Sequence, residues 1–191
     1  MKIREYTFEE YLEKVKEFHG SVDPGVVAGY VMLNVAKDNL PDGEAFDVIC
    51  ETAHSLPDAV QLLTPCTLGN GRLRVVETSR FALTVYENGK GEGIRVFLDL
   101  TKLDIWPEIR SWLLKERPRH KPDNHLIVTE LREAEDSIFS LERVRLKPEI
   151  LDAWKRHGFA VKPCPACGEA YRSELGDLCP ACRGKGPYLD R

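Results

Sequence analysis

Apolar positions recur three and four residues apart at the start of the chain. In "TFEEYLEKVKEF", Phe8, Leu12, Val15 and Phe18 keep that spacing, which predicts an amphipathic helix. Thr7 and Glu10 have the spacing of a capping box, and Gly20, just after His19, is placed to close the helix. A second helix is predicted from Asp23-Pro24, because Asp favours the N-cap and Pro the first helical position. From Val26 to Ala36 it is apolar on nearly all sides, which predicts deep burial. Gly25 and Gly29, four apart, would let another element pack closely against it.

The pattern then changes period. "AFDVICET" reads as a short buried strand and "LPDAVQLL" as a short helix starting at Ser55 or Leu56. "GRLRVVETSRFALTVYE" reads as strand, with Phe81, Leu83 and Val85 opposed to Ala82, Thr84 and Tyr86. "NGKGEG" is a turn, and "IRVFLDL" returns with Ile94, Val96, Leu98 and Leu100 on one face, which makes a hairpin. "PEIRSWLLKE" is helical from Pro107, "RPRHKPDNH" a loop, "SIFSLERVRL" a strand, and "KPEILDAWKRHG" a short helix closing at Gly158. The expected architecture is α+β, a mixed sheet flanked by helices over residues 1–158, followed by a small module over 159–191.

That last stretch holds two Cys-Pro-Ala-Cys units among glycines and prolines and has little apolar content, so side chains alone cannot give it a core. Cys164/Cys167 and Cys179/Cys182 are separated by eleven residues. Each pair supplies two thiolates from one tight turn, and together they form the four-sulfur ligand set of structural zinc. Metal binding would then supply the folding free energy that the missing core cannot. Gly168 suits the turn after the first pair. The expectation is one Zn2+ per chain in a treble-clef or ribbon-type finger. Four protein ligands leave no open coordination position, which makes the ion structural. Iron–sulfur centres use the same ligand type, so residue identity leaves that alternative open.

Two other readings are weaker. A single Cys-Pro-Ala-Cys unit resembles a thiol-redox pair, but two at this spacing favour a shared metal. "PCPAC" echoes half of the zinc-deaminase signature, which also needs His-x-Glu. None of His19, His54, His120, His125 and His157 has Glu two residues on.

Composition narrows the classes. The 191 residues are 42% hydrophobic and 30% charged, ordinary for a soluble globular protein. The net charge of −4 gives no general case for nucleic acid or an anionic membrane. From residue 155 onward seven Lys/Arg stand against four Asp/Glu, a tail of +3 on a body of −7, with no series of stacking aromatics. There is no bilayer-length apolar run, and the charged "MKIREYTFEEYLEK" is no signal peptide, so a cytoplasmic location is the default.

Two stretches of the body, "FHGSVDPG" and "ETAHSLPDAVQLLTPCTLGNGRL", together resemble the E-subunit family of formylmethanofuran dehydrogenase. That family carries His-Gly-His-x-Cys-Pro-Gly, later Glu-Thr-x-x-Cys-x-x-Asp-Ala-x-Gln, then Thr-Gly-Cys-Thr-x-Gly-Lys-x-Asn-Leu. Many of its members end in a zinc finger. His19, Gly20, Pro24 and Gly25 match the first segment; Glu51, Thr52, Asp58, Ala59, Gln61, Thr64, Cys66, Thr67, Gly69 and Leu73 match the second. Ser21 stands in place of a His, and Asp23 and Ser55 in place of Cys residues; Pro65, Asn70 and Arg72 replace Gly, Lys and Asn. Thiols at helix N-termini have depressed pKa values. Asp23 and Ser55 keep the capping chemistry and lose the thiol.

The resemblance implies a loosely thioredoxin-like core and an auxiliary role beside a molybdenum- or tungsten-dependent enzyme of anaerobic one-carbon metabolism. It also places the core cleft at His19, Asp23, Ser55 and Cys66, with a weak or absent core metal. By themselves His19 is a helix-end residue, Cys66 a small buried apolar one and Cys50 a core residue. A redox enzyme would need Cys66 accessible and acidic. An adaptor would rely on the finger. The apolar second helix is compatible with a homodimer.

Overall fold

A computed structural model describes residues 5–40, 45–116, 123–154 and 159–188. The chain divides into two compact units, residues 1–151 and 152–191.

The first unit opens with α1 (Phe8–His19) and α2 (Pro24–Asn39). The Thr7 hydroxyl and Glu10 carboxylate form the expected capping box, and Gly20 closes α1 at φ 89°. The Asp23 side chain accepts from the Val26 N–H and caps α2. As its apolar run predicts, α2 buries Val26, Val27, Ala28, Met32, Leu33 and Ala36 completely. Tyr11 is fully buried between these helices and donates its hydroxyl to the Val26 carbonyl at 2.8 Å, so its one polar atom is satisfied.

Next come β1 (Phe46–Cys50), α3 (Leu56–Leu63), β2 (Leu73–Val75), β3 (Ala82–Glu87) and β4 (Glu92–Leu98). A 3₁₀ turn at Leu100–Lys102 leads to α4 (Pro107–Leu114), α5 (Asn124–Ala134), β5 (Phe139–Arg145) and α6 (Pro148–Trp154). The sheet runs β2-β1-β3-β4-β5, with β1 and β2 parallel and every other pair antiparallel. A β-α-β unit and a hairpin thus share one mixed sheet, the α+β architecture expected from the pattern.

The stretch that reads as one long strand is two. β2 and β3 lie on opposite sides of β1, since β1 pairs through Val48–Leu73 on one side and Val48–Val85 on the other. Leu100 leaves the face of Ile94, Val96 and Leu98 and sits in the 3₁₀ turn, largely exposed. The fold also contains a helix that the pattern reading does not predict. α5 begins where the expected loop ends, capped by Asp123 on the His125 and Leu126 N–H groups, and buries Ile127, Val128, Leu131 and Ala134. The basic loop at 117–122 and the helix end at Gly158 lie outside the described residues.

The helices supply one side of the core. α2 packs on β3, β4 and β5, and α3 on β1 and β2. They meet Val48, Cys50, Leu83, Val85, Ile94 and Val96. The other sheet face is polar. Ile49, Thr84 and Arg95 share a row across β1, β3 and β4. Glu51 accepts from Arg95 at 2.5 Å and pairs with Arg80 at 2.7 Å, while Asp47 accepts from Arg72 at 3.0 Å. Trp112 packs edge-on against Phe81 at 5.4 Å. No helix among the described residues is long and apolar enough to cross a membrane.

The second unit contains β6 (Val161–Pro163) paired antiparallel with β7 (Ala170–Arg172), then short helical turns at Ser173–Leu175 and Ala181–Lys185. Among its described residues the only buried side chains are Cys164 and Cys179. An apolar core is absent there, as composition predicts.

Candidate functional site

In the second unit Cys164 follows β6, and the chain turns back through Gly168 at φ 77° into β7. The turn is closed by hydrogen bonds from the Gly168 N–H to the Cys164 carbonyl at 2.8 Å and from the Cys164 N–H to the Glu169 carbonyl at 2.9 Å. Cys179 and Cys182 flank the start of the last helical turn, which breaks at Arg183 and Gly184. These two local structures bring all four sulfurs within 4.8 Å of one another. The Sγ atoms of Cys167 and Cys179 are 3.8 Å apart. A regular tetrahedron with metal–sulfur bonds of about 2.3 Å has edges of about 3.8 Å, so the residues fit one tetrahedral ion.

Backbone donors prepare these sulfurs for negative charge. The Cys179 N–H points at Cys164 Sγ at 3.5 Å and the Cys182 N–H at Cys179 Sγ at 3.4 Å. Such donors, first from Cys179 and then from Cys167, bring the Cys164 thiol down to about 6. Sharing hydrogens with Cys167 and then Cys179 pushes Cys182 up to about 12. A divalent ion bound by the sulfurs would displace the proton held at Cys182.

In the first unit the helix starts of α2 and α3 meet at the end of α1. Gly25 lies against Ser55 and Gly29 against Ala59, and a Cβ at either glycine would come within 2.6 Å of the facing Cβ. This close approach is what the glycine spacing predicts. It places His19 beside two carboxylates. Its Nδ1 is 2.6 Å from Asp58 Oδ2, and its Nε2 is 4.0 Å from Asp23 Oδ2. Asp58, in the first turn of α3, is the member of this group to which the sequence assigns no partner. Its motif position is visible in the sequence; the fold that sets α3 beside the end of α1 is not.

The other two cleft residues behave differently from expectation. Ser55 takes the expected N-cap position of α3 at φ 60°, ψ −54°, but its side chain makes no capping hydrogen bond. The dihedrals turn it away from the extended geometry that side-chain capping uses. Cys66 lies past the opposite end of α3, an eight-residue helix and so about 12 Å long. It is 1% exposed and directs Sγ to the Phe46 carbonyl at 3.4 Å. Burial, outweighing the Thr64 hydroxyl and Arg72, pushes its thiol up. The accessible, acidic thiol that redox chemistry needs is not there. Cys50 is core, its thiol pushed up to about 12 by burial.

The remaining motif residues hold local structure. Gln61 Oε1 accepts from the Leu68 N–H, the Thr64 hydroxyl donates to the Val60 carbonyl and accepts from the Cys66 N–H, and Asn70 bridges the turn from Thr67 to Arg72. Glu51 is held below the usual carboxylate range. Burial works against this, and the Arg95 guanidinium, then Thr78 and Arg80, overcome it.

An α+β unit with a mixed sheet, a His–Asp pair joining the end of α1 to the start of α3, and a four-cysteine treble clef define the class. Residues 18–147 match the family model described as FmdE, molybdenum formylmethanofuran dehydrogenase operon, and residues 155–189 match the FmdE treble clef zinc finger. The chain belongs to the FmdE family. It is 46% identical to a tungsten formylmethanofuran dehydrogenase FmdE-like protein from Syntrophus aciditrophicus, whose crystal structure superposes with a TM-score of 0.88 over 99% of this chain and 100% of that one. A curated relative from Archaeoglobus fulgidus, described as a probable S-adenosyl-L-methionine-binding protein, is 27% identical across 91% of this chain. The chain spans about half the length of that relative, 52%.

Proposed function

We propose that this protein is a zinc-bearing auxiliary partner of a molybdenum- or tungsten-dependent one-carbon enzyme, and that its core carries no tightly bound metal. The observation that carries the reading is the contrast between its two sites. Four sulfurs stand within 4.8 Å at the spacing of one tetrahedral ion. Among the described residues no comparable group of ligand atoms gathers around His19, and Cys66 is sealed at the far end of α3.

The sulfur spacing favours a single ion, because a polynuclear cluster sets its own irons and sulfides between the cysteines and spreads them wider. Zinc fits four thiolates without redox demand. The family's association with formylmethanofuran dehydrogenase supports the partner role. The substituted positions Asp23 and Ser55 support a core without thiolate chemistry.

Metal analysis of freshly purified protein tests the first half. About one zinc per chain is expected, lost when Cys164 and Cys182 are both changed to Ser. Two tightly bound ions per chain would overturn the reading of the core. Co-expression with the other components of a molybdenum or tungsten formylmethanofuran dehydrogenase tests the second half. Retention of this chain on the tagged enzyme is expected, and its absence at near-stoichiometric expression refutes the partner role.

A further inference from the structure

Away from both sites, α2 shows a second face. Tyr30, Val31 and Val35 line one side of a groove of about 740 Å3, and Leu141, beside the buried Leu131 and Phe139, lines the other. The groove follows α2 from Tyr30 to Asn39, about 14 Å at the helical rise. Leu141, on the edge strand β5, is 41% exposed.

The charges around this groove are unevenly spent. Of its two cations, Arg132 is paired with a carboxylate, while Lys102 is bonded to a neutral carbonyl and keeps its charge. Lys102 donates to the Phe139 carbonyl at 2.5 Å, and Arg132 pairs with Glu9 at 2.7 Å and lies over the Phe8 ring. Its three carboxylates, Asp38, Glu135 and Asp136, take up no ion pair among the described residues. A groove of mixed apolar and polar lining with an excess of carboxylates is complementary to a segment that is apolar on one side and basic on its flanks.

We propose that this groove receives a basic amphipathic helix from a partner protein. The walls fit that shape. Tyr30, Asn34 and Asp38 repeat four apart, as do Val31, Val35 and Asn39, so the surface presents ridges along which another helix's apolar positions can interdigitate. Apolar anchors of the partner would enter between Val35 and Leu141, and its Lys or Arg side chains would reach Asp38 on one rim and Glu135 and Asp136 on the other. The inference rests on the partner role proposed above only for the premise that a protein partner exists; the metal reading does not enter it.

The test uses the full chain and a fluorescein-labelled sixteen-residue amphipathic helix of Leu and Lys, with the same pattern in Leu and Glu as its counterpart. Fluorescence anisotropy should show binding of the Lys peptide and none of the Glu peptide. The combined substitution Asp38→Asn, Glu135→Gln, Asp136→Asn should weaken binding at least tenfold. Leu141→Ser should weaken it separately, with an unchanged circular dichroism melt showing that the fold is intact. As a control, Gln at Glu13, Glu17 and Glu149, none of which lines the groove, should change affinity less than twofold.

Equal losses from groove and control substitutions, binding of both peptides alike, or no binding would overturn the proposal. So would full displacement of the Lys peptide by millimolar phenethylamine, which would mark a small-cation site instead. Peptide binding with no retention on the formylmethanofuran dehydrogenase complex would sink that enzyme as the partner and leave the groove assignment standing.

Discussion

His19 Nδ1 lies 2.6 Å from Asp58 Oδ2 and ties the last residue of α1 to the first turn of α3. Both side chains are about a quarter to a third exposed, so the pair is a surface contact in energetic terms. His19→Ala and Asp58→Asn should each lower stability by about 0.5–1 kcal/mol. Urea unfolding of both variants and the double variant measures this. The double variant should lose no more than the larger single loss, because both remove one interaction. Additive losses would show that the two residues act through other contacts.

Gly29 is required by the α2–α3 packing. A Cβ there would stand 2.4 Å from the Ala59 Cβ, which cannot swing aside. Gly29→Ala should destabilise by about 1–3 kcal/mol, despite the better helix propensity of alanine. Adding Ala59→Gly should recover part of that loss in a double-mutant cycle. An unchanged denaturation midpoint for Gly29→Ala would refute the close approach.

The six cysteines should fall into two groups. Cys50 and Cys66 are buried and their thiols pushed up, so iodoacetamide at pH 8 should reach them only on unfolding. Cys164, Cys167, Cys179 and Cys182 should be protected while metal is bound and react after chelation. Mass spectrometry should therefore count four labels after chelator treatment of native protein. Labelling of Cys66 under those conditions would revive a thiol function for the core.

Chelation should also unfold the second unit while sparing the first, because Cys164 and Cys179 are its only buried side chains among the described residues. Amide exchange should lose protection in β6 and β7, at Val161–Pro163 and Ala170–Arg172, and keep it in β1, β3 and β4. Retained protection across 159–188 without metal would mean that another source of stability operates there.

Glu51 makes stability depend on acid. Its folded pKa lies below the ordinary 4.5, so its contribution is full above that value and is lost as pH falls through the lower, folded one. Glu51→Gln leaves Arg95 with Glu142, at 3.3 Å, as its remaining ionic partner and should cost about 1–3 kcal/mol at pH 7. The gap between wild type and Glu51→Gln should narrow when unfolding is followed from pH 6 down to 3. A gap constant with pH would assign the loss to packing alone.

Local signals are the most legible ones. The Thr7–Glu10 box, the Asp23 cap, Pro107 and the turn between Glu87 and Glu92 act through neighbours a few residues away, and the elements they bound are where the pattern puts them. The four-cysteine module is legible for the same reason: two tight turns make most of it, and one metal-sized gap joins them. α5 escapes the pattern although Asp123 and its apolar spacing are present, because the preceding prolines and charges mark the segment as loop. The split of residues 71–87 into β2 and β3 depends on which strands pair, and no residue inside that stretch states it.

Most element types, the motifs that mark the family and the four-cysteine pattern are written locally along the chain. The separation of Cys66 from His19, the pairing of His19 with Asp58 and the acidic groove beside α2 depend on how helices cross over the sheet. Those crossings are set by contacts between residues far apart in the chain, such as Gly25 with Ser55 and Gly29 with Ala59. A one-dimensional pattern records that such residues are small or apolar; the folded chain selects which of them meet.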